Sequence, residues 1–347
     1  MNRYVLSASE LNEIYELVES IPADTDLETD RYLMEATLWG YNLPFELKKK
    51  LIDFKQSEKQ SHLVISGFPV NDDDIGLTPS HWRERPDPKL TRKVEIFFSL
   101  CGSILGDLFG WGTQQQGYYI HNILPVKGDE NEQLGSGSNS LLWWHTEEAF
   151  HEYRADYLGL FCLRNPDSVA TTYASIDMLN LEKKYKDVLF EPRFYILPDE
   201  SHFSKNNVGQ DSSEIFDQFE ANYSSKQPLS ILFGNYDSPY IRLDPFFMGV
   251  LDEKDDLARE AMAHIVSQIE DSIMDITLKP GDMLFVDNYR AVHGRKPFSP
   301  KYAGRDRWLK RINITRDLRK SRDSRKSAES RLIQPKMKNN VGVSTWT

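Results

Sequence analysis

Apolar residues recur at helical spacing in the first hundred positions of the chain and in short β-branched runs beyond them, and this change of period lays out the architecture. Ser7-Ala8-Ser9-Glu10 has the form of a capping box ahead of a helix whose Leu11, Ile14, Tyr15 and Val18 share one face. PFELKKKLIDF predicts a second helix, and SHLVISGFPV a buried strand ended by Gly67 and Pro69. TRKVEIFFSLCGSILGDLFGW again has helical length and spacing and is expected to pack on a sheet. From about Leu141 the runs YLGLFCL, ATTYAS, LSILFGN, YIRL, DITL, DMLFVDN and LKRINIT alternate with turn signals, a density of strands that predicts a sandwich or barrel rather than βαβ units. One helix interrupts them, Glu253 to Met274, with Leu257, Ala261, Ile265, Ile269 and Ile273 on one face.

The expected organisation is a single domain over residues 1–320, mainly β with flanking helices and an N-terminal helical elaboration. Residues 199–222 are polar and lie between strands, the composition of a lid loop over a site, and residues 321–347 form a basic C-terminal tail expected to be solvated. With 42 Lys plus Arg against 53 Asp plus Glu the net charge is −11, so no nucleic acid and no membrane is expected as partner. The two cysteines are too few for a disulfide framework, and no stretch approaches the ~20 apolar residues of a bilayer span, which points to a cytoplasmic protein with a small-molecule partner.

Three residues carry the candidate chemistry. In Trp144-His145-Thr146-Glu147 an imidazole and a carboxylate are two residues apart, and in extended chain such side chains project to one face. Lys279-Pro280-Gly281-Asp282 launches an apolar strand, just beyond which stands His293. Two His and one carboxylate can occupy one face of an octahedral iron(II) and leave positions for substrate and oxygen. A zincin would need His-Glu-x-x-His, which the chain lacks. Farther on, alternation along Arg307-Trp308-Leu309-Lys310-Arg311-Ile312 puts both Arg307 and Arg311 on one face. Two inward guanidiniums need anions, and a guanidinium grips a ligand carboxylate with two parallel hydrogen bonds.

Trp144-His145-Thr146-Glu147, Asn165-Pro166-Asp167 with Val169-Ala170-Thr171-Thr172, and Val292-His293-Gly294-Arg295 through Asp306 to Asp317 resemble the clavaminate synthase-like, TauD-type iron(II)/2-oxoglutarate-dependent oxygenases. Within them the free amino acid hydroxylases acting on arginine and lysine are most similar, and the resemblance runs from around His81 and Trp82 to Arg322. It implies a double-stranded β-helix (jelly roll) with Fe(II) held by His145, Glu147 and His293. The distal carboxylate of 2-oxoglutarate would be held by Arg307 with Thr171. Such enzymes consume O2 and 2-oxoglutarate and release succinate and CO2 as the substrate gains hydroxyl. Radical halogenases of the superfamily lack the carboxylate, so Glu147 favours hydroxylation. Family members are often oligomeric, which makes a homo-oligomer an expected assembly.

The same resemblance places the substrate α-carboxylate on Arg311 and its α-amine against Glu147 and Gln114. Asp244, in Arg242-Leu243-Asp244-Pro245-Phe246, matches a carboxylate that meets the side-chain cation. Arginine-specific relatives carry a second aspartate where this chain has Phe246, and a guanidinium wants more acceptors than an ammonium. The expected substrate is therefore a free basic amino acid, L-lysine ahead of L-arginine, hydroxylated at C4 and next at C3; the alternative is an L-arginine 3-hydroxylase, for which Asp199 or Glu200 would restore the second contact. A carrier-tethered or peptide substrate and a non-catalytic jelly-roll binding module are the remaining readings.

Overall fold

The computed structural model describes residues 2–207, 213–223 and 225–335. Two sheets face one another. The larger has eight strands, with central members His62–Ser66, Met283–Asp287, Tyr157–Arg164, Trp308–Thr315 and Asp107–Trp111 in that spatial order. The smaller has four, in the order Met274–Thr277, Ala170–Ser175, Ala291–Arg295 and Leu142–His145. Leu158, Leu160, Leu284, Val286 and Leu309 from the first sheet pack against Tyr173, Ile276 and Ala291 from the second, so one core lies between the sheets, the sandwich that the strand pattern anticipates and the double-stranded β-helix that the family resemblance implies.

Helices cover both outer faces. Residues Ala8–Ser20, Asp30–Gly40, Phe45–Ser57 and Pro88–Leu105 pack Ile14, Leu33, Leu51, Phe97 and Phe98 onto Phe161, Phe285, Ile312 and Ile314 of the larger sheet. Helix Asp256–Ser272 lays Ala258, Ala261, Ile265 and Ile269 over Ala174 and Val292 of the smaller one. The capping box at the first helix is present in full: Ser7 accepts from the Glu10 N–H while the Glu10 carboxylate accepts from the Ser7 N–H.

Three expectations about elements are corrected. The segment from Thr91 to Trp111 is not one helix, because it ends at Leu105 and Asp107–Trp111 is a strand paired with Trp308–Thr315. Gly106 makes the break, where a Cβ would lie 2.3 Å from the Thr315 carbonyl oxygen. Helices Lys183–Leu189 and Ser213–Tyr223 interrupt the strand region besides Asp256–Ser272, short elements whose faces are covered only by tertiary neighbours. Within 199–222, residues 208–212 lie outside the described residues, and the rest holds two 3-10 turns and nearly all of the helix Ser213–Tyr223 rather than open loop.

The basic tail also departs from a solvated segment over its described part. Leu332–Ile333 adds a parallel strand beside Asp107–Trp111, and the buried Arg325 guanidinium donates to the carbonyls of Leu318, Ser327, Ala328 and Ser330. Residues 336–347 lie outside the described residues. Among the described residues no helix is long and apolar enough to cross a membrane.

Candidate functional site

The smaller sheet brings the three candidate ligands together. Its strands Leu142–His145 and Ala291–Arg295 pair in a register that sets His293 directly opposite His145. Gly294 permits this approach, since a Cβ there would sit 2.5 Å from the Leu142 carbonyl oxygen and 3.0 Å from Trp144 Cα. Glu147 follows in the turn, with Oε2 at 3.4 Å from His145 Nε2 and 3.3 Å from His293 Nε2. The three donor atoms lie within 4.8 Å of one another and are almost shielded from solvent.

Two of the three ligands are held from behind. The His145 Nδ1–H donates to the Trp143 carbonyl at 2.8 Å, which turns the Nε2 lone pair inward. Asn288 clamps the Glu147 backbone on both sides: its Oδ1 accepts from the Glu147 N–H at 2.8 Å, and its Nδ2 donates to the carbonyls of Glu147 at 3.0 Å and Ala155 at 2.9 Å. Burial pushes the Glu147 carboxyl up, but the Arg311 guanidinium and the two imidazoles outweigh it and hold the group well below the usual carboxylate range. The donors therefore suit a divalent cation: one ionised carboxylate and two imidazoles whose Nε2 atoms both face it.

Alternation along Trp308–Thr315 is as the sequence predicts. Leu309 and Arg311, with Arg307 just ahead of the strand, line the cavity in front of the ligands, while Trp308, Ile312 and Ile314 enter the helix-side core. Lys310 on that side is buried and paired with Glu95 at 2.7 Å. Arg307 is buried with no carboxylate within ion-pair distance among the described residues, and its Nε has no hydrogen-bond partner. Burial lowers its pKa to about 10, and the guanidinium of Arg295, itself lowered to about 9, adds repulsion at the same end of the cavity. Thr171 faces this end, whereas Thr172, one position on, faces away.

Arg311 does have partners. It pairs with Glu147 Oε1 and donates to Gln114 Oε1 at 3.0 Å and to His121 Nδ1 at 2.9 Å. Gln114 in turn donates through Nε2 to Glu148 at 2.7 Å and to Ser201 at 2.5 Å. Across the cavity stand Asp244, Asp199, Ser201, Phe246 and Phe247. Burial, seconded by the nearby Asp199 carboxylate, pushes Asp244 up to about 6 against the pull of His145 and of two backbone N–H groups. All eight sequence-predicted residues thus gather around one space, Gln114 through its contact with Arg311.

Similarity to known proteins agrees with this arrangement. The profile of the taurine catabolism dioxygenase TauD, TfdA family matches residues 192–313. The chain is 41% identical over 335 residues to an enduracididine beta-hydroxylase of Streptomyces hygroscopicus, covering 94% of this chain and 95% of that protein. It belongs to the clavaminate synthase-like iron(II)/2-oxoglutarate-dependent amino acid hydroxylases. An L-ornithine/L-arginine 3-hydroxylase of Catenulispora acidiphila is 40% identical, over 89% of this chain and 92% of that one. The non-heme iron oxygenase OrfP, solved with Fe, succinate and (3S)-hydroxy-L-Arg, superposes with a TM-score of 0.91 at 39% identity, covering 96% of this chain and all (100%) of that one.

These relatives do not support the order of substrates expected from Phe246 and favour the arginine alternative. An L-lysine 3-hydroxylase of Catenulispora acidiphila is only 26% identical, so lysine-specific relatives are the more distant ones. The enzyme is a non-heme iron dioxygenase that uses 2-oxoglutarate and O2, which removes the binding-module reading. Sequence reasoning missed Asn288, His121, Glu148 and His202. Each acts through a partner at least 54 positions away or through a buried backbone group, which no local spacing reveals.

Proposed function

We propose that this enzyme hydroxylates C3 of free L-arginine or a closely related guanidino amino acid, with release of succinate and CO2. The observation that carries the choice of guanidinium is the pairing of Asp199 with Asp244 around one end of the cavity. Asp244 Oδ1 accepts from the Phe246 N–H at 3.0 Å and Asp199 Oδ1 from the Ser201 N–H at 2.8 Å. Each carboxylate keeps its other oxygen for the substrate, and two separated acceptors match the edges of a guanidinium better than a compact ammonium. The acid absent at Phe246 is thereby replaced from a different segment. Relatives acting on enduracididine and on ornithine and arginine at position 3 support the same reading.

In this reading His145, Glu147 and His293 hold the iron. Bound there with 2-oxoglutarate and O2, iron supplies the oxidant for an unactivated C–H bond. The protein's own residues do the positioning. Arg307, lacking an anion of its own, takes the distal carboxylate of 2-oxoglutarate with Thr171 beside it, and Arg295 adds positive potential at that end. Arg311, oriented by His121 and Gln114, takes the amino acid α-carboxylate. The α-amine lies against Glu147 Oε1 and Gln114 Oε1. Gripping both ends of the substrate fixes the carbon presented to the iron, and Asp199 and Ser201 help to close the cavity wall around it.

Succinate release by iron-loaded enzyme, screened over arginine, ornithine, lysine and a cyclic guanidino amino acid with product masses, tests the proposal. A guanidino substrate should gain one oxygen and give the highest kcat/KM. A higher kcat/KM for lysine would overturn it.

A further inference from the structure

Immediately after the iron ligand Glu147 comes a second buried carboxylate that the chemistry above does not use. Glu148 has a positive φ of 51°, a left-handed conformation that a non-glycine residue rarely adopts. Its side chain accepts from Gln114 at 2.7 Å on one oxygen and from His202 Nε2 at 2.5 Å on the other. His202 arrives from the 199–207 segment and is fully buried, and its Nδ1 is hydrogen-bonded to Thr113 at 2.6 Å. Its ring stacks on Phe219 at 5.1 Å and meets Phe150 edge-on at 5.1 Å.

We propose that the Glu148–His202 pair is a positioning latch that seats the 199–207 segment on the turn carrying the iron ligand. His202 stands three positions after Asp199, so seating the imidazole places Asp199 and Ser201 in the cavity wall. The same Glu148 carboxylate fixes Gln114 against Arg311. A strained backbone conformation at Glu148 is retained because both its carboxylate oxygens are engaged. The latch thereby links the distal end of the substrate site to the iron-ligand turn, neither residue touching the reacting atoms. This deepens the proposed function, resting on it for the role given to Asp199.

His202→Phe keeps the aromatic packing and deletes both hydrogen bonds, Glu148→Gln keeps the shape but meets only one of its two donors, and His202→Gln restores a donor toward Glu148. In the full-length iron-loaded enzyme, His202→Phe and Glu148→Gln should raise the amino acid KM about ten- to a hundred-fold while leaving the 2-oxoglutarate KM within about twofold. Hydroxylated product per succinate should fall, and His202→Gln should recover part of each loss. A purely structural role would move both KM values and the melting temperature together. Trypsin cleavage after Lys205, read without any substrate, should be faster in His202→Phe and Glu148→Gln than in wild type. That readout survives if the substrate assignment itself fails, which wild-type turnover reveals separately. Should His202→Phe not fold, Glu148→Gln decides. Unchanged product-to-succinate ratio together with unchanged cleavage in a folded variant would overturn the latch.

Discussion

Arg307→Met separates the cost of a functional charge from its use. The guanidinium is buried, and its pKa of about 10 instead of the ordinary 12.5 means that at neutral pH it stays protonated at a cost to the folded protein of about 3 kcal/mol. Methionine keeps most of the aliphatic stem and removes the charge. The protein free of 2-oxoglutarate should therefore melt no lower than wild type and gain a few degrees, since ~1 kcal/mol is worth roughly 2–4 °C in a somewhat smaller domain. Binding of 2-oxoglutarate should move the other way. Losing a desolvated guanidinium opposite a carboxylate costs about 2–5 kcal/mol, which corresponds to a rise in its KM of roughly 30- to 5,000-fold. Differential scanning calorimetry of the keto-acid-free protein and succinate release against 2-oxoglutarate concentration measure the two effects. A melting temperature lowered by several degrees, or a 2-oxoglutarate KM close to wild type, would refute the view that Arg307 is held in reserve for a ligand.

Burial pushes the Asp244 carboxyl up to about 6, and only its ionised form attracts the substrate cation, so below that pH the amino acid KM should climb about tenfold per pH unit while that of 2-oxoglutarate does not follow. In Asp244→Asn the KM should be high and free of this slope; a persisting slope would assign it to another group. Asp199→Asn should weaken arginine more than lysine, by about ten-fold or more in kcat/KM, and an unchanged ratio between the two would argue against the two-carboxylate grip on guanidinium. Asn288→Ala should lower iron affinity about 10–100-fold in a metal titration, because three backbone hydrogen bonds around Glu147 are lost. Wild-type iron affinity in that variant would mean that the Glu147 turn holds itself.

What could be read along the chain was whatever depends on near neighbours. A period of two puts Leu309 and Arg311 on the face opposite Trp308 and Ile312 in any strand, whatever the strand packs against. The capping box at Ser7 and Glu10 spans three residues, and the His145-Thr146-Glu147 spacing converges by local geometry. The place of His293 just beyond an apolar strand, and then the family motifs, joined it to that pair. Gly106 shows where local reading stops: the apolar LFGW run is compatible with a helix in isolation and becomes a strand because Trp308–Thr315 offers it a ladder.

Substrate selection lay farther out of reach. From position 246 alone an acid is missing, and lysine follows; the fold brings Asp199, 47 residues earlier, into the wall of the same cavity. Asn288 lies 141 positions from the backbone it clamps and His202 54 from the carboxylate it meets, so their roles exist only once two sheets and a crossing segment have closed around them. Side-chain type and strand period are written in the sequence because they follow from each residue's own bonds. Which buried groups share a hydrogen bond is decided by tertiary packing, which alone sets distances between segments far apart in the chain.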